Sequence, residues 1–237
     1  MGEETAQPGA GGETPEVTEL VLAATVVLLR DSDTGPETLM LRKNSRVAFG
    51  GMWVFPGGRV DPEDGQPDEE MWLRARAAAV REAEEEASVR LDASSLVWFA
   101  HWTPPAVEIR RFSTWFFAAR APEGEIQIDD GEITDSQWIR PEEALTKQRD
   151  GQIELVPPTF VTLHNLSGYA NVEALLAAVG TGEPRHYVTR MAKSDEGMVV
   201  MWEGDAGYET ADAAAPGLRH RLLMTKSGFF FEDSALR

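Results

Sequence analysis

The chain of 237 residues contains no cysteine. Disulfide bonds, thiol nucleophiles and cysteine-ligated zinc sites are therefore excluded. Long hydrophobic runs are also missing, since the longest, over residues 20–29, is about half of what a membrane-spanning helix needs. The first residues carry neither the basic nor the apolar part of a secretory signal. These absences predict a cytoplasmic protein without a membrane partner.

Positive charge is scarce as well. Lysine and arginine number 22 against 40 aspartates and glutamates, which gives a formal net charge of −18. Such a chain repels phosphate backbones, so we expect no nucleic-acid polymer as a partner. Small phosphorylated ligands stay compatible with this charge, because a bound divalent cation reverses its sign locally.

The pattern along the chain predicts an α+β fold in which strands dominate. Residues 1–17 are rich in Gly, Glu, Thr and Pro and predict a disordered tail. We expect one domain over residues 18–183 and a C-terminal β extension over residues 184–237, packed on the same domain. Strands are predicted at residues 20–29, 38–42, 52–55, 96–102, 113–120, 133–139, 186–191, 198–202, 219–225 and 228–231. Helices are predicted at residues 68–87, 159–166 and 170–179, and a further helix is predicted to start near residue 141.

The most informative segment lies near the end of the predicted helix 68–87, whose expected cap is Asp68. Glu82, Glu85 and Glu86 are spaced i, i+3 and i+4 and share one helix face, whereas Glu84 points nearly the other way. Three such carboxylates repel one another, and Mg²⁺ removes the repulsion because it prefers carboxylate oxygens. A solvated acidic face is the alternative. The core-facing stripe is predicted on a different side, at Leu73, Val80, Ala83 and Ala87.

Together with the segment before it, this helix resembles the signature of the Nudix hydrolases. The signature is a glycine, five residues, a glutamate, seven residues and then Arg-Glu-apolar-any-Glu-Glu-any-Gly-apolar. Its opening glycine is matched by Gly58, within Phe55-Pro56-Gly57-Gly58. The second half is matched by Arg81, Glu82, Ala83, Glu85, Glu86 and Val89. The resemblance implies a Nudix-type α/β/α sandwich with a mixed β-sheet, to which this chain adds C-terminal strands.

The chain departs from the signature at two places. Arg81 follows Gly58 by 23 positions, about nine more than in the signature, so the first signature glutamate is left open. Counting back from Arg81 reaches Leu73, and the candidates are Glu63, Glu69 and Glu70. The glycine after the helix is replaced by Ser88, which gives up the residue most tolerant of a left-handed backbone.

The resemblance implies hydrolysis of a diphosphate bond with Mg²⁺ or Mn²⁺ as cofactor. Glu82, Glu85 and Glu86 are the implied metal ligands, Glu85 and Glu86 are also implied to be catalytic, and Arg81 is implied to orient Glu85. Gly57 and Gly58 are implied to expose backbone amides to the substrate, with a plain tight turn as the alternative.

Further candidates lie outside the signature. Glu132 is the candidate general base, with an ordinary loop acid as the alternative. Arg110 and Arg111 are candidates for contact with substrate phosphate, with salt bridges as the alternative. Three aromatic residues are candidates for stacking on a base, with core packing as the more frequent use: Trp102, Phe112 and Trp115.

The insertion within the signature, with residues 111–117 and 130–134, resembles the branch of the family that includes the peroxisomal coenzyme A diphosphatase. Arg46 and Gly51 match that branch's upstream motif in part. We therefore expect a nucleoside-diphosphate-linked substrate, with coenzyme A or an acyl derivative ranked first. A nucleotide-binding sensor without turnover and an acidic interaction protein are the alternatives. The oligomeric state is left open, a homodimer included.

Overall fold

The computed structural model describes residues 20–46, 48–106, 111–129 and 131–235. The predicted tail and Arg110 lie outside these residues. The strands are β1 (Leu20–Ser32), β2 (Gly35–Lys43), β3 (Trp53–Val54), β4 (Gly57–Arg59), β5 (Val97–Thr103), β6 (Arg111–Arg120), β7 (Ile133–Ile139), β8 (Arg185–Val188), β9 (Arg190–Lys193), β10 (Met198–Met201), β11 (His220–Thr225) and β12 (Gly228–Asp233). The helices are α1 (Met71–Ala87), α2 (Pro141–Arg149), α3 (Pro157–Asn165) and α4 (Val172–Val179), and a 3-10 turn covers Ala93–Ser95.

Eight strands form one mixed sheet with the order β3-β2-β1-β6-β5-β8, in which β4 also pairs with β1 and β7 with β2. The pairs β1–β6 and β5–β8 are parallel and the other pairs are antiparallel. A second, antiparallel sheet has the order β12-β11-β10-β9. The α+β fold, the mixed sheet and the additional C-terminal strands are therefore confirmed.

Strand β1 lies at the centre of the large sheet and is buried on both faces. Val26 and Leu28 contribute to the hydrophobic core under α1, whereas Val27 and Leu29 contribute to the core that includes residues of α3 and α4. A strand covered on both faces needs an unbroken apolar sequence, which explains the run that starts at Leu20. Helices thus cover both faces of the sheet.

Several element boundaries differ from the prediction. Helix α1 begins at Met71 after Glu70, so Asp68 is not its cap. Helix α3 begins at Pro157 rather than at residue 159, because proline suits the first helical position, where no amide is needed. The strand predicted over residues 186–191 is divided at Thr189 into β8, which belongs to the large sheet, and β9, which belongs to the second sheet.

Aromatic side chains join the second sheet to the large one. Trp102 of β5 stacks on Tyr187 of β8 with ring centroids 3.8 Å apart, and Trp202 meets Trp102 edge-on at 5.4 Å. Trp202 and Leu222 belong to the same buried cluster as these rings. The division of the chain at residue 183 stays a prediction. In the part of the chain that the structure describes, each helix is too short or too polar to span a bilayer.

Candidate active site

Two glycines let strand β4 run close to α1. Gly57 pairs with Thr25 of β1, and its amide donates a hydrogen bond to Glu86 Oε2 at 2.9 Å. A Cβ atom on Gly57 would overlap the backbone of β1, and one on Gly58 would overlap the carboxylate of Glu82. The close approach therefore requires glycine at position 57, whereas a side chain at position 58 would displace the Glu82 carboxylate. The amide of Gly57 is used to hold Glu86.

The face of α1 that packs on the sheet consists mainly of alanines, and Glu86 lies among them. Ala79, Ala83 and Ala87 are buried, and Glu86 is only 4% exposed. Leu73 and Val80, which were predicted to face the core, are only half-buried. Because Glu86 is buried beside Ala83 and Ala87, the prediction that the core stripe lies apart from all three glutamates is wrong for Glu86. The physical reason is the small size of alanine, which lets the helix approach the sheet closely enough to bury a longer side chain.

The buried carboxylate of Glu86 is paired with Lys43 at the end of β2. Lys43 follows Leu39 and Leu41 on the strand face that is buried under α1. Its ammonium contacts Glu86 and lies 3.5 Å from Glu132 Oε2. Burial alone would lower the pKa of Lys43, but the neighbouring carboxylates outweigh it and raise that pKa above its ordinary value. Lys43 is therefore a fixed positive charge between two acidic candidates.

Arg81 is the centre of a second charged group. Its Nε and Nη2 atoms donate to the two carboxylate oxygens of Asp64 at 3.0 and 2.9 Å. Its Nη1 atom donates to Glu82 at 2.8 Å and to Glu85 at 2.9 Å. Arg81 thus contacts Glu85, as its implied orienting role requires, and it contacts Glu82 as well.

Asp64 occupies the position of the first signature acid. It is the sixth residue after Gly58, which is where the signature places its glutamate when the count runs forward. The extra residues therefore lie between Asp64 and Arg81. Asp64 is buried, and hydrogen bonds from Arg81 and from the amide of Asp61 lower the pKa of its carboxyl, although burial alone would raise it.

The three residues considered for that position lie elsewhere. Glu69 accepts a hydrogen bond from the amide of Gln66 at 2.8 Å, and Glu70 accepts one from the indole of Trp72. Glu63, Glu69 and Glu70 are exposed, whereas the described ion pairs of Arg81 are with Asp61, Asp64, Glu82 and Glu85.

The carboxylates of α1 differ strongly in their surroundings. Burial raises the pKa of Glu82 to about 7, against the opposing effect of Arg81. Burial also raises the pKa of Glu86, which Lys43 and the Gly57 amide oppose. Glu85 is 58% exposed. Because these side chains are turned towards Arg81 and Lys43, the described residues form no group of three ligands around one point.

The donor set nevertheless suits a divalent cation. All three side chains offer hard oxygen ligands, as Mg²⁺ prefers. Glu82 and Glu86 are partly or fully removed from water, so their ionised forms need a nearby positive charge. In the described arrangement the guanidinium of Arg81 and the ammonium of Lys43 supply that charge.

These residues line a cavity of about 830 Å³. Glu132 also lines it and is 62% exposed. Asp129 accepts hydrogen bonds from the amides of Glu132 and Ile133 at 3.0 and 2.9 Å, and these bonds shape the loop before β7. The lining further includes the cations Arg46 and Arg59 and the aromatic residues Phe49, Phe55, Phe112 and Phe116.

The remaining candidates are placed differently. Arg111 is outside the cavity lining, and its Nη2 atom donates to the carbonyl of Pro104 at 3.3 Å; its contact with phosphate stays a prediction. Trp102 and Trp115 are buried. Trp115 stacks on His101 with centroids 4.3 Å apart. Of the three aromatic candidates, Phe112 lines the cavity.

Sequence reasoning missed Lys43 and Asp64. For Asp64 the signal was available, since counting forward from Gly58 reaches it. For Lys43 the signal was the alternation of β2, because a residue two positions after Leu41 continues the buried face. A lysine at such a position needs a buried counter-ion.

A NUDIX domain model matches residues 19–158 of this chain. Among solved structures, a NUDIX hydrolase from Alicyclobacillus acidocaldarius is 22% identical with a TM-score of 0.63, over 71% of this chain and 100% of that chain. The NUDIX domain of NrtR from Shewanella oneidensis, complexed with ADP ribose, is 18% identical with a TM-score of 0.49, over 62% and 86%. A C. elegans Ap4A hydrolase in a binary complex is 23% identical with a TM-score of 0.44, over 61% and 93%.

At such identities the similarity to solved structures shows the fold alone. The match to the domain model covers more than half of the chain and contains β4, α1 and the charged groups of Arg81 and Lys43. The chain therefore belongs to the NUDIX family.

Proposed function

We propose that the protein hydrolyses the diphosphate bond of a nucleoside-diphosphate-linked compound in a reaction that requires Mg²⁺ or Mn²⁺. The observation that carries this proposal is the position of Glu82, Glu85 and Glu86 on the wall of one cavity, with Arg81 and Lys43 as counter-ions. Removing carboxylates from water is costly unless they are paired. An acidic interaction surface would leave them in solvent, so the burial of Glu82 and Glu86 favours a site.

Glu82, Glu85 and Glu86 would hold the divalent ion, and Arg81 and Lys43 would then release part of their contacts to these carboxylates. When bound, such an ion neutralises diphosphate oxygens and lowers the pKa of coordinated water. Asp64 keeps Arg81 in place through two hydrogen bonds. The orientation of Glu85 therefore does not depend on the ion alone.

The reaction adds the oxygen of one water to one phosphorus. The bond from that phosphorus to the bridging oxygen breaks, and two phosphate monoesters form. Glu132 receives the proton of the attacking water in this proposal, because its exposed carboxylate lies on the cavity and general bases act at hydrogen-bond distance from their proton.

For the substrate we rank coenzyme A or an acyl derivative first, and nucleotide sugars or dinucleotides next. The ranking is supported by the insertion between Asp64 and Arg81 and by the segment over residues 111–117, whereas Arg46 and Gly51 in the loop before β3 match the coenzyme A motif only in part. Arg46 lines the cavity, and Gly51 has a left-handed backbone with φ of 84°.

The test is a panel of such compounds incubated with Mg²⁺ or Mn²⁺ in isotopically labelled water and followed by mass spectrometry. We expect one labelled oxygen in one of two phosphate monoesters. Glu85→Gln and Glu86→Gln should each lower turnover by orders of magnitude, because each removes a charged ligand where phosphoryl charge develops. Glu84→Gln is the matched control, since Glu84 is exposed and its ion pair among the described residues is with the exposed Arg90.

Two outcomes would contradict the proposal. Near-normal turnover of Glu85→Gln and Glu86→Gln in Mg²⁺ would overturn the metal assignment. Nucleotide binding without turnover of any compound in the panel would favour a sensor instead.

A further inference from the structure

An aromatic side chain stands exposed at the mouth of the cavity. Phe49 is 45% exposed and lines the same cavity as the carboxylates of α1. Its backbone is left-handed, with φ of 60°. This conformation is unfavourable for a bulky residue, and strained residues concentrate at functional sites. A large apolar ring and a strained backbone at one position call for a functional explanation.

The loop that carries Phe49 is tied to the charged groups. Three backbone hydrogen bonds close this loop. The amide of Lys43 donates to the carbonyl of Met52 at 3.0 Å, the amide of Gly51 donates to the carbonyl of Lys43 at 2.9 Å, and the amide of Met52 donates to the carbonyl of Phe49 at 3.0 Å. Consecutive Cα atoms are about 3.8 Å apart, so the Cα of Phe49 lies at most about 8 Å from that of Gly51. Because the side chain of Lys43 contacts Glu86, one short hairpin connects the ring to the carboxylates.

The ring is also supported from behind. Phe112 of β6 packs against Phe49 with centroids 5.8 Å apart and an angle of 53° between the rings. Both rings line the cavity. A partner ring on one side limits where Phe49 can turn, while its exposed fraction leaves aromatic surface open.

The charge of the loop fits the same ligand. The side chain of Arg46 lines the cavity and has no ion-pair partner among residues 20–46, 48–106, 111–129 and 131–235. In a chain with a net charge of −18, a cation without an acidic partner in the described part of the chain is available for an anionic group. A nucleotide carries a planar base and a phosphate within one molecule.

We propose that Phe49, supported by Phe112, is the stacking surface for the nucleobase of the substrate. This inference rests on the proposed hydrolysis of a nucleoside-diphosphate-linked compound and assigns the residue that recognises its base. Every base has a planar π-face, so stacking on an aromatic side chain tolerates different bases. Phe49 is accordingly a residue that selects for a base in general rather than for one base.

The test compares the binding of adenosine 5′-monophosphate with that of ribose 5-phosphate, which differs from it by the base alone. Binding is measured by calorimetry in Mg²⁺ with the full chain. We expect wild type to bind the nucleotide more tightly, Phe49→Leu to weaken nucleotide binding by about tenfold, and ribose 5-phosphate binding to stay unchanged. Phe49→Trp should keep nucleotide affinity, because it restores an aromatic face.

Phe230→Leu is the matched control and should leave both affinities unchanged, since Phe230 of β12 is also exposed but lies outside the cavity lining. Equal loss of both ligands in Phe49→Leu, or no loss of either, would overturn the proposal. Binding needs no turnover, so its outcome is separate from that of the substrate panel. Aromatic-dependent nucleotide binding without hydrolysis would sustain the stacking surface and remove the proposed reaction.

Discussion

Asp64 and Arg81 face each other with two parallel hydrogen bonds, from Nε to Oδ1 at 3.0 Å and from Nη2 to Oδ2 at 2.9 Å. This two-bond geometry fixes the plane of the guanidinium as well as its distance. The remaining nitrogen, Nη1, is thereby aimed at Glu82 and Glu85. Asp64, which lies on a loop before α1, thus fixes through Arg81 the direction of the Glu85 carboxylate on α1.

The first prediction concerns this pair. Asp64→Asn removes one charged acceptor from a buried arginine contact, so we expect the free energy of unfolding to fall by about 1–3 kcal/mol. Activity should fall about 10- to 100-fold, as is usual when a residue that orients a metal ligand is changed. Denaturant unfolding and steady-state kinetics are the measurements. Glu63→Gln and Glu69→Gln are controls that should change neither quantity, and an activity loss in either one as large as that of Asp64→Asn would contradict the assignment of Asp64.

The second prediction concerns the base. Glu132→Gln should lower the rate at saturating substrate while the Mg²⁺ concentration needed for half-maximal activity stays nearly constant. The exposed loop acid Glu125, which is outside the cavity lining, gives the control Glu125→Gln with no defect. A Glu132→Gln variant that needed much more Mg²⁺ would show that this carboxylate binds the metal.

The third prediction concerns pH and the metal-free protein. The pKa of Glu82 is about 7 in the folded chain and near its ordinary value when unfolded, so the folded state binds the proton more tightly. Stability therefore falls as the pH rises from about 5 to 8, by an amount of about 2–3 kcal/mol at most. His101, whose pKa burial lowers to about 4, acts in the opposite direction below pH 6.5.

The difference between wild type and Glu82→Gln cancels the contribution of His101. A chelator keeps the protein free of metal, and denaturant unfolding at each pH gives the free energy of unfolding. We expect the free energy of unfolding of Glu82→Gln to increase relative to that of wild type as the pH rises from 5 to 8. A difference that did not change with pH would show that Glu82 is ionised throughout this range.

The fourth prediction concerns the end of α1. Ser88 has a left-handed backbone with φ of 56°, its amide donates to Glu84 at 2.9 Å, and its hydroxyl donates to Gln127 at 3.1 Å. Ser88→Gly should relieve about 1 kcal/mol of backbone strain and lose one exposed hydrogen bond, for a net gain of about 0.5 kcal/mol. Ser88→Ala loses the bond and keeps the strain, so it should be less stable than wild type. Stability is measured by thermal or denaturant unfolding. A Ser88→Gly variant less stable than wild type would contradict the prediction.

The sequence predicted those parts of the fold that depend on local pattern. Strand β7 covers Ile133–Ile139 as predicted, and α2 begins at Pro141, because proline and alternating side chains act over a few residues. The division at Thr189 was missed, since Tyr187 and Met191 read as one apolar pattern while their strands join different sheets. Sheet membership depends on distant partners that no local pattern contains.

The same limit applies to the site. The spacing of Glu82, Glu85 and Glu86 on one helix predicted their common location, which the helical period alone determines. Which cations they contact was not predictable, because Lys43 lies on a strand and Asp64 on a loop. Likewise, the burial of Glu86 depends on how closely the alanines of α1 approach the sheet.

The junction at Thr189 links the two sheets mechanically. The amide of Thr189 donates to Thr103 of the large sheet at 2.9 Å, and its hydroxyl accepts from the indole of Trp202 in the neighbouring segment at 3.1 Å. Because a single residue connects β8 to β9, a displacement of either strand is transmitted directly to the other sheet. We therefore expect the C-terminal strands to open together with the β5–β8 edge in one cooperative step, so that the stability of the large sheet depends partly on the second sheet.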